Sequence, residues 1–119
     1  MAGVTLDNWK LQLPTSTGSG EVDEIEPAQL SHHQSGWFQR SPRGLAITTS
    51  TDGATTPNSQ HSRSELREMT PAGEEGAWHP AVGVHLLAVR LAVIKLSDTE
   101  PLVVVAQAHN GATGLPMTR

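Results

Sequence analysis

At 119 residues the chain can build one domain with a modest core, and two complete domains are excluded. A formal charge of −4 and a pI near 5.8 exclude a general nucleic-acid or anionic-membrane binder, because both need a basic surface field. With no Cys there is neither a disulfide framework nor a thiolate metal site, and the redox compartment stays open.

The start, Met1 to Lys10, lacks the charged region and apolar stretch of a signal peptide. That leaves a chain that stays in the cytoplasm or one whose leader has been removed. Trp9-Lys10-Leu11-Gln12-Leu13-Pro14 alternates large apolar and polar residues and stops at Pro, which predicts a short strand entering a turn over Thr15 to Gly20. Glu21 to Glu26 carries four acids in six residues and reads as a solvated connection. Trp37 and Phe38 face opposite sides of a strand, so one of them packs inward. Leu45 to Thr51 has the β-branched content of a further strand, and Asp52-Gly53 with Thr56-Pro57-Asn58-Ser59 supplies turn chemistry.

A strand over Arg63 to Met69 follows and ends before Pro71 and Gly73. Val82 to Leu96 fits a buried strand and tolerates a helix by period; its Val content and flanking turns favour a strand. Ser97 to Pro101 is a turn, Leu102 to His109 a strand that starts buried and ends polar, and Asn110 to Arg119 a loop. The longest apolar run, Leu102 to Ala106, is far too short to span a bilayer. Short strands between polar turns, with no internal repeat, predict an all-β antiparallel sandwich or barrel.

Two stretches carry the chemistry. On an extended chain Arg63, Glu65 and Arg67 project side by side, so that two guanidinium forks can hold a carboxylate-bearing ligand while Glu65 partners them. Gln107 and His109 have the same spacing and add a neutral amide and a group that titrates near neutral pH. Taken alone, an Arg-x-Glu-x-Arg strand is more often a surface ion-pair ladder, and a lone His an ordinary hydrogen-bonded one. His32-His33, His61, His79 and His85 show no ligand spacing, so no metal site is expected. Trp78 could stack on a sugar ring or simply pack.

These segments resemble the alginate lyases of polysaccharide lyase family 7. The resemblance rests on Trp9-Lys10-Leu11-Gln12-Leu13-Pro14, on Gly53-Ala54-Thr55-Thr56-Pro57-Asn58-Ser59 followed by Arg63-Ser64-Glu65-Leu66-Arg67-Glu68-Met69, and on Gln107-Ala108-His109, in the family order. It covers about Trp9 to His109. Ala108 stands where the family usually has Ile or Val, a position tied to guluronate or mannuronate preference. A third family signature, Tyr-Phe-Lys-Ala-Gly-x-Tyr, has no counterpart, since the chain contains no Tyr.

The resemblance implies a concanavalin-like β-jelly-roll sandwich, here incomplete, with residues 1–119 forming a single partial domain. It implies eliminative cleavage of alginate, an acidic polysaccharide, with no cofactor and with no nucleic acid or membrane as partner, and it suggests a secreted protein. Arg63, Gln107 and His109 would be catalytic, with Arg63 and Gln107 neutralising the sugar carboxylate and His109 acting as base or assisting it. Arg67 would bind a neighbouring carboxylate, and Glu65 would orient the two Arg side chains. The alternatives are a non-catalytic acidic-polysaccharide binder and an inactive fragment.

Overall fold

The computed structural model describes residues 4–18 and 20–110, and the backbone of 116–118. Its elements in chain order are β1 (Trp9–Gln12), β2 (Glu24–Ile25), the helical turn α1 (Pro27–Leu30), β3 (Phe38–Ser41), β4 (Gly44–Ile47), β5 (Glu65–Glu68), β6 (Ala108–His109) and β7 (Pro116–Thr118). All strand pairings are antiparallel. They build a three-stranded sheet in the order β2-β1-β5, a β3-β4 pair and a β6-β7 pair. The chain divides into two units, Met1–Glu74 and Glu75–Arg119.

In the first unit the alternation of β1 decides the packing. Leu11 is paired with Leu66 of β5 and Ile25 of β2, and paired residues of antiparallel strands share a face. That face closes onto Leu6, Leu13, Leu30 and Phe38, with Trp9, Trp37 and Leu45 partly buried around them. Leu11, Leu30 and Phe38 are fully buried, each worth roughly 1.5–3 kcal/mol of apolar burial. Phe38 is thus the inward member of the aromatic pair. Pro27 opens α1 at a position where its missing N–H costs nothing, and the single turn delivers Leu30 to the core.

The segment after β1 is fastened at several points. Leu13 N–H donates to the Asp23 carbonyl at 2.9 Å and Asp23 N–H to the Thr15 carbonyl at 2.8 Å. The Asp23 carboxylate also accepts from the Thr15 hydroxyl at 2.6 Å and from the Thr17 hydroxyl at 2.7 Å. These two hydroxyls hold the Asp23 carboxyl below its ordinary value. Further along, Gly53 sits against Pro14: a Cβ there would lie 2.6 Å from the Pro14 carbonyl oxygen, and Ala54 N–H donates to that oxygen at 2.9 Å. The Ser62 hydroxyl donates to the Ser50 carbonyl and the Ser64 hydroxyl to the Thr48 carbonyl, guiding the chain into β5.

Several sequence expectations change here. The acidic run is no mere connection, because Glu24 and Ile25 pair with Gln12 and Leu11 as β2. The predicted Leu45 to Thr51 strand spans Gly44–Ile47, and the Arg63 to Met69 strand spans Glu65–Glu68, with Met69 N–H continuing to the Asn8 carbonyl at 2.7 Å.

The larger corrections fall in the second unit. Residues 84–107 form no strand, and Val84 and Ile94 are 96% and 91% exposed. The expected strand from Leu102 is confined to Ala108–His109, and Leu102 to Val105 are exposed. The physical reason is that alternation and Val content describe what a strand would bury, whereas a strand exists only when a neighbour satisfies its backbone. The predicted terminal loop contains β7 at Pro116–Thr118, which pairs with β6 across an irregular register between Ala108 and His109. The remainder of that loop, 111–115 and 119, lies outside the described residues, as do residues 1–3 of the N-terminal stretch and Ser19 of the turn. Among the described residues no helix is long and apolar enough to cross a membrane.

Candidate functional site

The register of the β2-β1-β5 sheet that buries Leu11 turns a second set of side chains the other way. Lys10 lies opposite Arg67, and Gln12 lies opposite both Glu65 and Glu24, so these five polar residues share the face away from the core. Arg63, two residues before Glu65, joins them through a 3.2 Å contact from its Nη1 to the Glu65 carboxylate. The expected side-by-side projection of Arg63, Glu65 and Arg67 is therefore a property of the β5 strand and the residues leading into it. Arg63 and Glu65 remain about 30% and 27% exposed, a partly solvated pair worth roughly 0.2–1 kcal/mol to stability. Its larger effect is to fix the direction of one guanidinium fork.

Lys10, Gln12 and Glu24 were not foreseen as part of this face. Lys10 is only 7% exposed and donates from Nζ to Glu24 Oε2 at 2.9 Å. Gln12 Nε2 donates to the other oxygen, Oε1, at 2.7 Å. Both oxygens of Glu24 are thus engaged from β1. The polar positions 10 and 12 have the same two-residue spacing as 63, 65 and 67, which was the available signal. The pairing partner that puts them on one face was not in the local sequence.

The face carries three cations, Lys10, Arg63 and Arg67, and two carboxylates, Glu24 and Glu65. A chain of formal charge −4 thus gathers three cations on one sheet face. Such a surface can hold a carboxylate-bearing ligand. Beside it Gln12 and Glu24 also border a shallow hollow shared with Glu21, Val22, Thr56 and Pro57.

Gln107 and His109 lie at the start of the β6 region of the second unit, half-buried, with His109 Nε2 3.3 Å from Gln107 Oε1. This contact couples the two polar groups on one side of the chain. The His109 carbonyl accepts from Trp78 N–H at 2.8 Å, and the β6-β7 register shifts between Ala108 and His109. Trp78 itself stacks on His85, with ring centroids 5.1 Å apart and planes inclined by 17°.

Two of the remaining histidines have hydrogen-bond partners of their own. His33 Nε2 is 3.1 Å from the Ser35 hydroxyl, and His85 Nε2 is 3.2 Å from the His79 carbonyl. His32 and His33 follow α1 and both border one hollow with Ile25, Ala28 and Gln29. Among the described residues no group of three or more His, Asp or Glu side chains is placed to hold a metal ion.

Comparison with known proteins gives the context for this face. No curated protein matches the chain. The family described as alginate lyase matches residues 4–119. Among solved structures, alginate lyase PA1167 from Pseudomonas aeruginosa is 32% identical with a TM-score of 0.55, over 62% of this chain and 32% of that one. The chain thus spans about a third of the length of that structure. The mostly-strand architecture and its antiparallel pairings agree with the jelly-roll fold that the resemblance implies. With nearly all of its length matched, the chain belongs to the alginate lyase family.

Proposed function

We propose that the chain acts on alginate as a polysaccharide lyase of family 7, with the Arg63, Glu65 and Arg67 face of the first unit as its substrate-binding surface and with roles for Gln107 and His109 that rest on the family resemblance. The observation that carries this reading is a polar sheet face bearing Arg67 and an Arg63 guanidinium held in direction by Glu65, in a chain of the alginate lyase family. In β-elimination the C5 proton of a uronate is removed, the electrons form the C4–C5 double bond, and the C4–O4 bond breaks as O4 takes up a proton. The neighbouring carboxylate opposes the carbanion because of its negative charge, so neutralising it is the main electrostatic task.

Arg63 and Gln107 are assigned that neutralisation, and His109 the removal of the C5 proton or support of the group that removes it. Arg67 takes the carboxylate of an adjacent sugar, and Glu65 holds Arg63 in direction. In the family that the chain resembles a Tyr protonates O4, and none is present among the 119 residues, so turnover by this chain alone is expected to be very low. Ultraviolet absorbance of the unsaturated product during incubation with alginate tests this. A rate near that of a full-length alginate lyase refutes the expected deficit. A double-mutant cycle of Arg63→Ala and His109→Ala tests whether both residues serve one sugar, with strictly additive losses of binding or rate counting against it.

A second reading is a binder of acidic polysaccharide without chemistry, supported by the polar face of β1, β2 and β5. It predicts salt-sensitive binding of alginate that Arg67→Ala weakens, with no new double bond formed.

A further inference from the structure

We infer that Glu24 sets the charge of the polymer-binding face, acting through Lys10 as a determinant of affinity for acidic polysaccharide. This rests on the proposed use of the Arg63, Glu65 and Arg67 face and extends it to β1 and β2, where the family resemblance assigns no site residue.

The placement follows from the register. Lys10 stands directly opposite Arg67 on the same side of the sheet, so two cations occupy adjacent positions where side chains on facing residues lie about 4.5–5.5 Å apart at Cβ. Left alone, that pair would repel, and it would add a second strong cation beside the guanidinium that meets substrate. Glu24 removes the conflict: one oxygen takes the Lys10 ammonium at 2.9 Å and the other takes the Gln12 amide at 2.7 Å. Lys10 is too buried to offer its ammonium to a polymer directly. Its charge is nevertheless close enough to be felt across the face, since a partly buried charge is screened less than an exposed one. The carboxylate of Glu24 cancels it.

Glu24→Gln removes the negative charge and keeps an oxygen for the Lys10 ammonium. Alginate affinity of the full chain, followed by Trp fluorescence or calorimetry, is then expected to rise about three- to tenfold at low ionic strength. The gain should vanish near 1 M salt, where the screening length is only about 3 Å. Lys10→Met should weaken binding by a similar factor. The double variant Lys10→Met/Glu24→Gln, which replaces the pair and restores the net charge of the face, should bind like the wild type.

The sign of the Glu24→Gln effect separates this from a merely structural role, because disordering the sheet cannot tighten binding in a salt-dependent manner. Unchanged or weaker binding by folded Glu24→Gln overturns the inference while leaving the proposed function standing. If Glu24→Gln does not fold, the double variant decides: loss of binding there makes Lys10 a direct contact and overturns the inference. Failure of the wild type to bind alginate at all overturns the proposed function and the inference with it.

Discussion

Residues 82–105 are far richer in Leu, Val and Ile than residues 4–69, yet it is the poorer region that buries its apolar side chains. In the first region Leu11, Leu30 and Phe38 are fully buried and Leu6, Leu13 and Met69 nearly so. In the second, thirteen large apolar side chains are exposed, among them Val84, Leu86, Ile94 and Leu102. The difference is in pairing. β1 has a strand on each side, so its backbone is satisfied and its alternation resolves into a dry face and a polar face. Residues 84–107 have the apolar content without a paired strand. Apolar content supplies a driving force, and pairing decides whether it is realised.

The strongest way to break this comparison is to truncate one side chain in each region. Phe38→Ala should cost about 3–5 kcal/mol, enough to threaten a marginal fold, while Leu91→Ala should change stability by no more than about 0.5 kcal/mol. Urea midpoints of the two variants check it; equal losses would mean that residue 91 is packed in solution. Hydrogen exchange sharpens the same contrast, with amides of β1 and β5 protected and those of 84–105 exchanging quickly.

A smaller effect is expected at Gly53, where the first region is closed by backbone contact. An added Cβ would meet the Pro14 carbonyl oxygen at 2.6 Å and Pro14 Cβ at 2.8 Å. Gly53→Ala should therefore cost about 1–3 kcal/mol and loosen the bond from Ala54 N–H to Pro14. Thermal melting measures the loss.

The smallest effect concerns pH. The Thr15 and Thr17 hydroxyls favour the ionised Asp23, so its carboxyl in the folded chain lies below the ordinary value of 3.8. A group depressed on folding contributes stability that is fully present above its unfolded pKa and is lost as pH falls through its folded one. The stability advantage of wild type over Asp23→Asn should accordingly be constant near neutral pH and shrink below about pH 4. An advantage that grows on acidification would contradict the role given to Asp23.

Local patterns were legible where a strand meets its turn. Trp9 to Pro14 announces β1 and its stop, the Trp37-Phe38 pair announces one inward ring, and the spacing of Arg63, Glu65 and Arg67 announces one polar edge. The acidic run was misread because a carboxylate-rich stretch looks solvated until Lys10 and Gln12 are seen to engage Glu24. The Val82 to Leu96 and Leu102 to His109 stretches were misread because composition has no way to express a missing neighbour.

The sequence by itself determined the all-β class and the polar groups available for an acidic ligand, since these follow from alternation and residue identity. Only the tertiary structure decided that Lys10, Gln12 and Glu24 belong to the same face as Arg67, and that 84–107 forms no strand. Register is a relation between distant segments, fixed when Leu11, Ile25 and Leu66 bury together, and no local pattern in any one of those strands contains it.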